Sequence, residues 1–116
     1  KNLKMANLML SNDDLYLLDF DDCGLSWFLY DYGCAMTDDG IGPNVDTLKS
    51  AWIQGYRSNG NLLGEEEAML PIFHLLRRLI TMAWAGSHAQ NPTALNKYGA
   101  CYTQQTEEIA QYYLQI

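Results

Sequence analysis

The stretch from Leu15 to Asp31, LYLLDFDDCGLSWFLYD, constrains this chain more than any other. An apolar run, Leu15 to Leu18, goes straight into Asp19-Phe20-Asp21-Asp22, and an aromatic run ending in Asp31 follows. Carboxylates crowded at the end of a hydrophobic strand repel one another and resist ionising together unless a positive charge sits among them. A hard divalent cation with a phosphate behind it answers that need, because such ions take oxygen ligands. The plainer alternative is a solvated acidic turn. The apolar strand in front and the aromatic run behind argue against it, since they fix the loop against a core.

At 116 residues the chain has room for one domain with a core of its own. It is 48% hydrophobic, too apolar for a disordered segment. The formal charge of −7 excludes nucleic acid and anionic membrane as main partners, because both repel an acidic surface. Cys23, Cys34 and Cys101 are odd in number and form no CxxC pair. They read as thiols in a reducing compartment. No signal peptide is visible and no apolar run approaches the ~18 residues of a membrane span. The expected location is the cytoplasm. The sequence opens on Lys1, directly inside a patterned segment, which suggests a piece of a longer protein.

Taken in order, Leu8-Met9-Leu10 and Leu15 to Leu18 are short apolar runs joined by Ser11-Asn12-Asp13-Asp14, the pattern of a β-hairpin. A short helix is expected from Asp31 to Met36, with Ser26 or Asp31 near its start. A loop, Asp38 to Pro43, follows. A second helix runs to about Arg57, capped by Asn44 or Asp46, with Val45, Leu48, Trp52 and Tyr56 on one side. The third and longest starts near Gly64 to Glu67 and ends between Gly86 and Asn91. Pro71 either lies in its first turns or marks a break. Its wide apolar face holds Met69, Ile72, Phe73, Leu76, Leu79, Ile80, Ala83 and Trp84, widened by Leu70, Leu75 and Met82, so it is expected to be central. The last helix runs from about Thr93 to the end. The expected fold class is α+β, mostly α: one short hairpin followed by about four helices. An all-α bundle is the alternative.

Asp19, Asp21 and Asp22 are the first candidates for chemistry. A strand ending in Asp-Phe-Asp holds Mg²⁺ through one carboxylate and leaves the other positions to water and phosphate. Asn7, twelve residues before Asp19, supplies a second oxygen ligand if the hairpin brings the two together. A calcium loop fits poorly: Cys23 falls at the fifth position and Tyr30 at the twelfth, where a bidentate Glu is needed. His74 and His88 read as core or cap histidines. Arg77 and Arg78 read either as partners for acids such as Glu65 to Glu67 or Asp31, or as a solvated face. The tyrosines and tryptophans read as core and cleft wall, some of them able to line a pocket for a cationic ligand.

Asn2-Leu3-Lys4-Met5-Ala6-Asn7-Leu8 and Leu17-Leu18-Asp19-Phe20-Asp21-Asp22, with Trp27-Phe28-Leu29-Tyr30-Asp31 behind, resemble the catalytic and metal loops of the kinase-like superfamily. The likeness is to the aminoglycoside phosphotransferase and choline kinase group, including its homoserine-kinase-like relatives. It covers essentially the whole chain, and the metal loop is its specific part. The resemblance implies a kinase-like C-terminal lobe over 1–116, with the N-terminal lobe absent. Residues 1–25 would form the catalytic and metal-loop hairpin, and 26–116 a helical subdomain.

It further implies a parent enzyme that uses ATP and Mg²⁺ to phosphorylate a hydroxyl of a small molecule: an aminoglycoside, choline, homoserine or a similar acceptor. Asp19 and Asn7 would hold the metal, and Asp31 would buttress the loops. Asp21 and Asp22 would face the acceptor, and Lys4 would sit where protein kinases often contact phosphate. Asn2 stands where the family has its catalytic Asp. An amide cannot take the acceptor's proton. With that change, and without the Gly-rich loop and strand lysine that cradle ATP, the isolated chain is expected to be inactive. A non-catalytic binding or regulatory module of the same ancestry is the alternative. A lobe lacking its partner also exposes apolar surface and is expected to self-associate.

Overall fold

A computed structural model describes residues 7–18 and 24–115. Two strands, β1 (Leu8–Ser11) and β2 (Asp14–Leu17), pair antiparallel with Leu8 opposite Leu17 and Ser11 opposite Asp14. The expected hairpin is present, and its turn is tighter than four residues. Asn12 and Asp13 alone form the loop, at φ 51° and 65°. Positive φ at both central residues gives the turn whose twist matches that of the strands, and Asn and Asp tolerate it better than most side chains.

Six helical segments follow among the described residues: α1 (Tyr30–Ala35), α2 (Pro43–Asn59), α3 (Gly64–Glu67), α4 (Leu70–Ser87), α5 (Pro92–Tyr98) and α6 (Ala100–Leu114). They are the four expected helices, with two of them split. The long helix breaks after α3, where Glu66 reaches back to accept from the Leu63 N–H at 2.9 Å. Pro71 then falls in the first turn of α4. The last helix breaks at Gly99, where a Cβ would collide with the Leu95 carbonyl. Asn91 caps α5 by accepting from the Thr93 N–H at 2.9 Å. The cap expected at Asn44 or Asp46 is instead Gly42, because Pro43 starts α2 and leaves both residues inside its first turn.

The apolar core gathers Leu29, Tyr32, Met36, Val45, Ile53, Leu62 and Leu70, with Trp52, Tyr56 and Phe73 packed against it. Leu48, expected on the inner face of α2, is exposed. α1 lies against α4 so closely that a Cβ on Gly33 would strike the Phe73 carbonyl. The approach of α1 to α4 therefore requires glycine there.

α4 is central as expected, meeting α1, α5 and α6, and Leu70 and Leu75 are buried as expected, but most of its expected apolar face does not turn inward. Its buried residues are Leu70, His74, Leu75, Arg78, Thr81 and Ala85. Met69, Ile72, Leu79, Ile80 and Trp84, expected inside, are exposed. No helix among the described residues is long and apolar enough to cross a membrane.

Candidate active site

The open end of the hairpin is where the described residues border the loops singled out in the sequence. Asn7 is buried, immediately before β1. Its carbonyl accepts from the Leu18 N–H at 2.8 Å, which extends the hairpin by one backbone bond beyond the Leu8–Leu17 pair. Leu18 is bonded covalently to Asp19. The fold thus brings the backbone of Asn7 beside the residue that leads into the acidic loop. Asn2, Lys4, Asp19, Asp21 and Asp22 lie outside the described residues. Within the described residues, no three His, Cys, Asp or Glu side chains are grouped to hold a metal ion.

Asp31 sits in the first turn of α1, half-buried, where a carboxylate complements the positive helix end. α1, which follows the acidic loop in sequence, is anchored by α4. Arg77 donates from Nε to Thr37 Oγ1 at 3.2 Å and from Nη1 to Tyr30 Oη at 3.1 Å. Its guanidinium also lies 5.8 Å from the Tyr30 ring centroid. One side chain thereby ties both ends of α1 to the central helix.

Arg78 departs furthest from expectation. It is fully buried, and its five N–H donors meet five acceptors. Nε donates to Thr106 Oγ1, Nη1 to the Thr37 and Asp39 carbonyls, and Nη2 to the Tyr102 carbonyl and Gln105 Oε1, all within 3.2 Å. The guanidinium lies 3.7 Å from the centroid of the Tyr102 ring, close enough for a strong cation–π contact in a dry site. It neither faces solvent nor bonds to Glu65, Glu66 or Glu67. Glu67 instead pairs with Arg57 at 2.9 Å. The spacing Leu70, His74, Arg78 at i, i+4, i+8 could have placed Arg78 on the inner stripe. The stronger apolar signal on the other face hid it.

His74 is a core histidine, as expected. Its Nε2 lies 3.1 Å from the Asp39 carbonyl, which can only accept, so the proton is on Nε2. Nδ1 then accepts from the Tyr113 hydroxyl at 3.1 Å. Burial first, and the Arg78 charge second, push the imidazole down to about 4. The ring is neutral in ordinary buffers. His88 caps the end of α4 and stacks on Trp84 at 4.5 Å. A separate cleft of about 170 Å³ lies between α1, the start of α2 and the end of α6, lined by Tyr32, Asp46, Lys49 and Tyr113. None of the residues expected to carry chemistry lines it.

A sequence model described as the phosphotransferase enzyme family matches residues 3–71, more than half of the chain, from the first loop to the start of α4. Nothing matches among curated proteins. Among solved structures the chain is similar to one described as the structure of the microcompartment-associated aminopropanol kinase. The TM-score is 0.78 and the identity 33%, over 98% of this chain and 36% of that one. The present chain therefore spans little more than a third of the length of that kinase. With a hairpin leading into an acidic loop, a helical body behind it and a family match across both, the chain belongs to the phosphotransferase enzyme family.

Proposed function

We propose that the chain is the C-terminal lobe of a phosphotransferase that moves the γ-phosphate of ATP to a hydroxyl of a small molecule. An amino alcohol, choline, homoserine or an aminoglycoside is the class of acceptor. Residues 1–25 carry the catalytic and metal loops, and residues 26–116 form the helical subdomain that supports them. The single observation behind this reading is the backbone bond from Leu18 to buried Asn7, which sets Asn7 beside the residue that precedes Asp19 in sequence.

The donor set suits the group implied. A carboxylate at Asp19 and an amide oxygen at Asn7 are hard ligands of the kind Mg²⁺ accepts, with its remaining positions left to water and phosphate. When bound, the ion neutralises charge on the phosphates in transit. The chain's own residues do the positioning. Lys4 would contact a phosphate, and Asp21 and Asp22 would attract a cationic acceptor. Asp31 and the Arg77 anchor hold the loop in register. Asn2, at the position of the family's catalytic Asp, can neither take the acceptor's proton nor orient its hydroxyl as a carboxylate would.

The test uses a longer parent chain that carries the nucleotide-binding half. With Asn2→Asp in addition, it is expected to consume ATP in a Mg²⁺-dependent way with some member of a panel of amino alcohols, sugars and aminoglycosides. Asp19→Asn and Asn7→Ala are each expected to cut turnover by about 10²–10³-fold, the scale of losing one electrostatic contact to the transition state. Asn2 favours a second reading, a non-catalytic binding or regulatory module. If the parent and its Asn2→Asp variant both leave ATP intact across the panel, that reading stands and phosphotransfer does not.

A further inference from the structure

We propose that the cleft between α1, the start of α2 and the end of α6 binds a small zwitterion of the α-amino acid class. Its volume of about 170 Å³ is roughly six waters' worth, which limits the ligand to the size of alanine or threonine. Asp46 and Lys49 both line it. They stand at i and i+3 on α2, on one face of the helix and within ion-pairing reach. Among the described residues the ion pairs are Arg57 with Glu67 and Lys97 with Asp38, and Asp46 and Lys49 do not pair. Two opposite charges thus line one small cleft without neutralising each other. The third group is Tyr32, which is 1% exposed and packs edge-to-face on Trp52 and His74. Its hydroxyl has no hydrogen-bond partner among the described residues. No fully buried polar side-chain atom among them lacks a partner, so the exposure Tyr32 keeps lies at its hydroxyl, in the cleft. Burial, then Tyr113 and Asp46, push the phenol up, so it is protonated and donates.

The polar groups of the cleft divide by role. Tyr113 directs its proton to His74 Nδ1 at 3.1 Å, which leaves the lone pairs of its oxygen to accept. The Asp46 carboxylate also accepts, while Lys49 and Tyr32 donate. A lone cation would set its charge against Lys49, and a lone anion would set its charge against Asp46. An α-amino acid answers both. Its ammonium is held by Asp46 and Tyr113, and its carboxylate by Lys49 and Tyr32. The inference does not rest on phosphotransfer, because the ligand is recognised by its two charges and not by a hydroxyl.

Amide NMR titration of the 116-residue chain, without nucleotide, tests this. The probes are L-alanine and L-threonine, with isopropylamine and propionate carrying one charge each. The zwitterions are expected to give saturable shifts confined to α1, the start of α2 and the end of α6. They should bind about tenfold more tightly than either single-charge probe, the scale of one hydrogen bond to a charged group. Lys49→Met should erase the preference over isopropylamine, and Asp46→Asn the preference over propionate. Asp46 is exposed and Lys49 half-buried, so the circular dichroism of both variants should match the wild type. Tyr32→Phe removes a hydroxyl that bonds nothing else described, and should weaken the zwitterions about threefold to tenfold. Single-charge probes that bind as tightly as the zwitterions would overturn the proposal. So would zwitterion binding that neither charge substitution moves, or no saturable shift at tens of millimolar.

Discussion

The hairpin and the helical body are built on opposite principles. Every strand residue of β1 and β2 is exposed or half-exposed, and Leu10 and Leu15, paired across the ladder, both face solvent. What fixes the hairpin is its backbone: the ladder, the Asn12-Asp13 turn and the bond from Leu18 to Asn7. The helical body is fixed by side chains that reach across long stretches of sequence to meet at α4. Of the residues expected to do chemistry, Asn7 stands at the start of the first kind of structure and Asp31 in the second. The difference teaches that a side-chain truncation should be nearly silent in one region and severe in the other.

Arg78 offers the largest test. Arg78→Leu keeps an apolar body but strands five acceptors, and should cost about 3–5 kcal/mol, the scale of breaking a buried charged network. Urea unfolding followed by tryptophan fluorescence reads it. A loss under ~1 kcal/mol would mean the hub does not hold the body together. Leu70→Ala, at a residue with no exposure, should cost about 2–5 kcal/mol. The same change at Leu10 should stay within ~0.5 kcal/mol, as surface substitutions do. Equal costs at the two leucines would end the contrast between the regions.

Acid sharpens the comparison further, because His74 belongs to the helical body alone. Its folded pKa lies below the unfolded value, so the native state binds fewer protons between about pH 6.5 and 4. Stability from this group is therefore complete above pH 6.5 and declines as pH falls toward 4, by about 3 kcal/mol. Asp39 opposes it over the acid range: burial and then the Asp38 carboxylate push its carboxyl up. The measurement is accordingly a difference, with urea midpoints of the wild type falling more steeply from pH 7 to 4 than those of His74→Gln. Parallel slopes would remove His74 from the account.

The amino-acid sequence by itself determined the hairpin, the order of the helices, the acidic loop and the family. These rest on local signals: turn residues, periodicity, and a motif whose spacing is contiguous along the chain. The expected cap of α2, Asn44 or Asp46, was displaced to Gly42, since Pro43 competes locally with Asn44 for the start of the helix. Which way α4 faces was decided only by the tertiary structure. A helix apolar over much of its circumference has more than one stripe that could turn inward, and periodicity does not say which stripe meets a neighbour. The choice fell to partners far away in sequence. Thr37, Asp39, Tyr102, Gln105 and Thr106 converge on Arg78 with a matched acceptor for every donor. A buried guanidinium is stable only where such a set assembles, and assembly of that kind is a property of the folded chain.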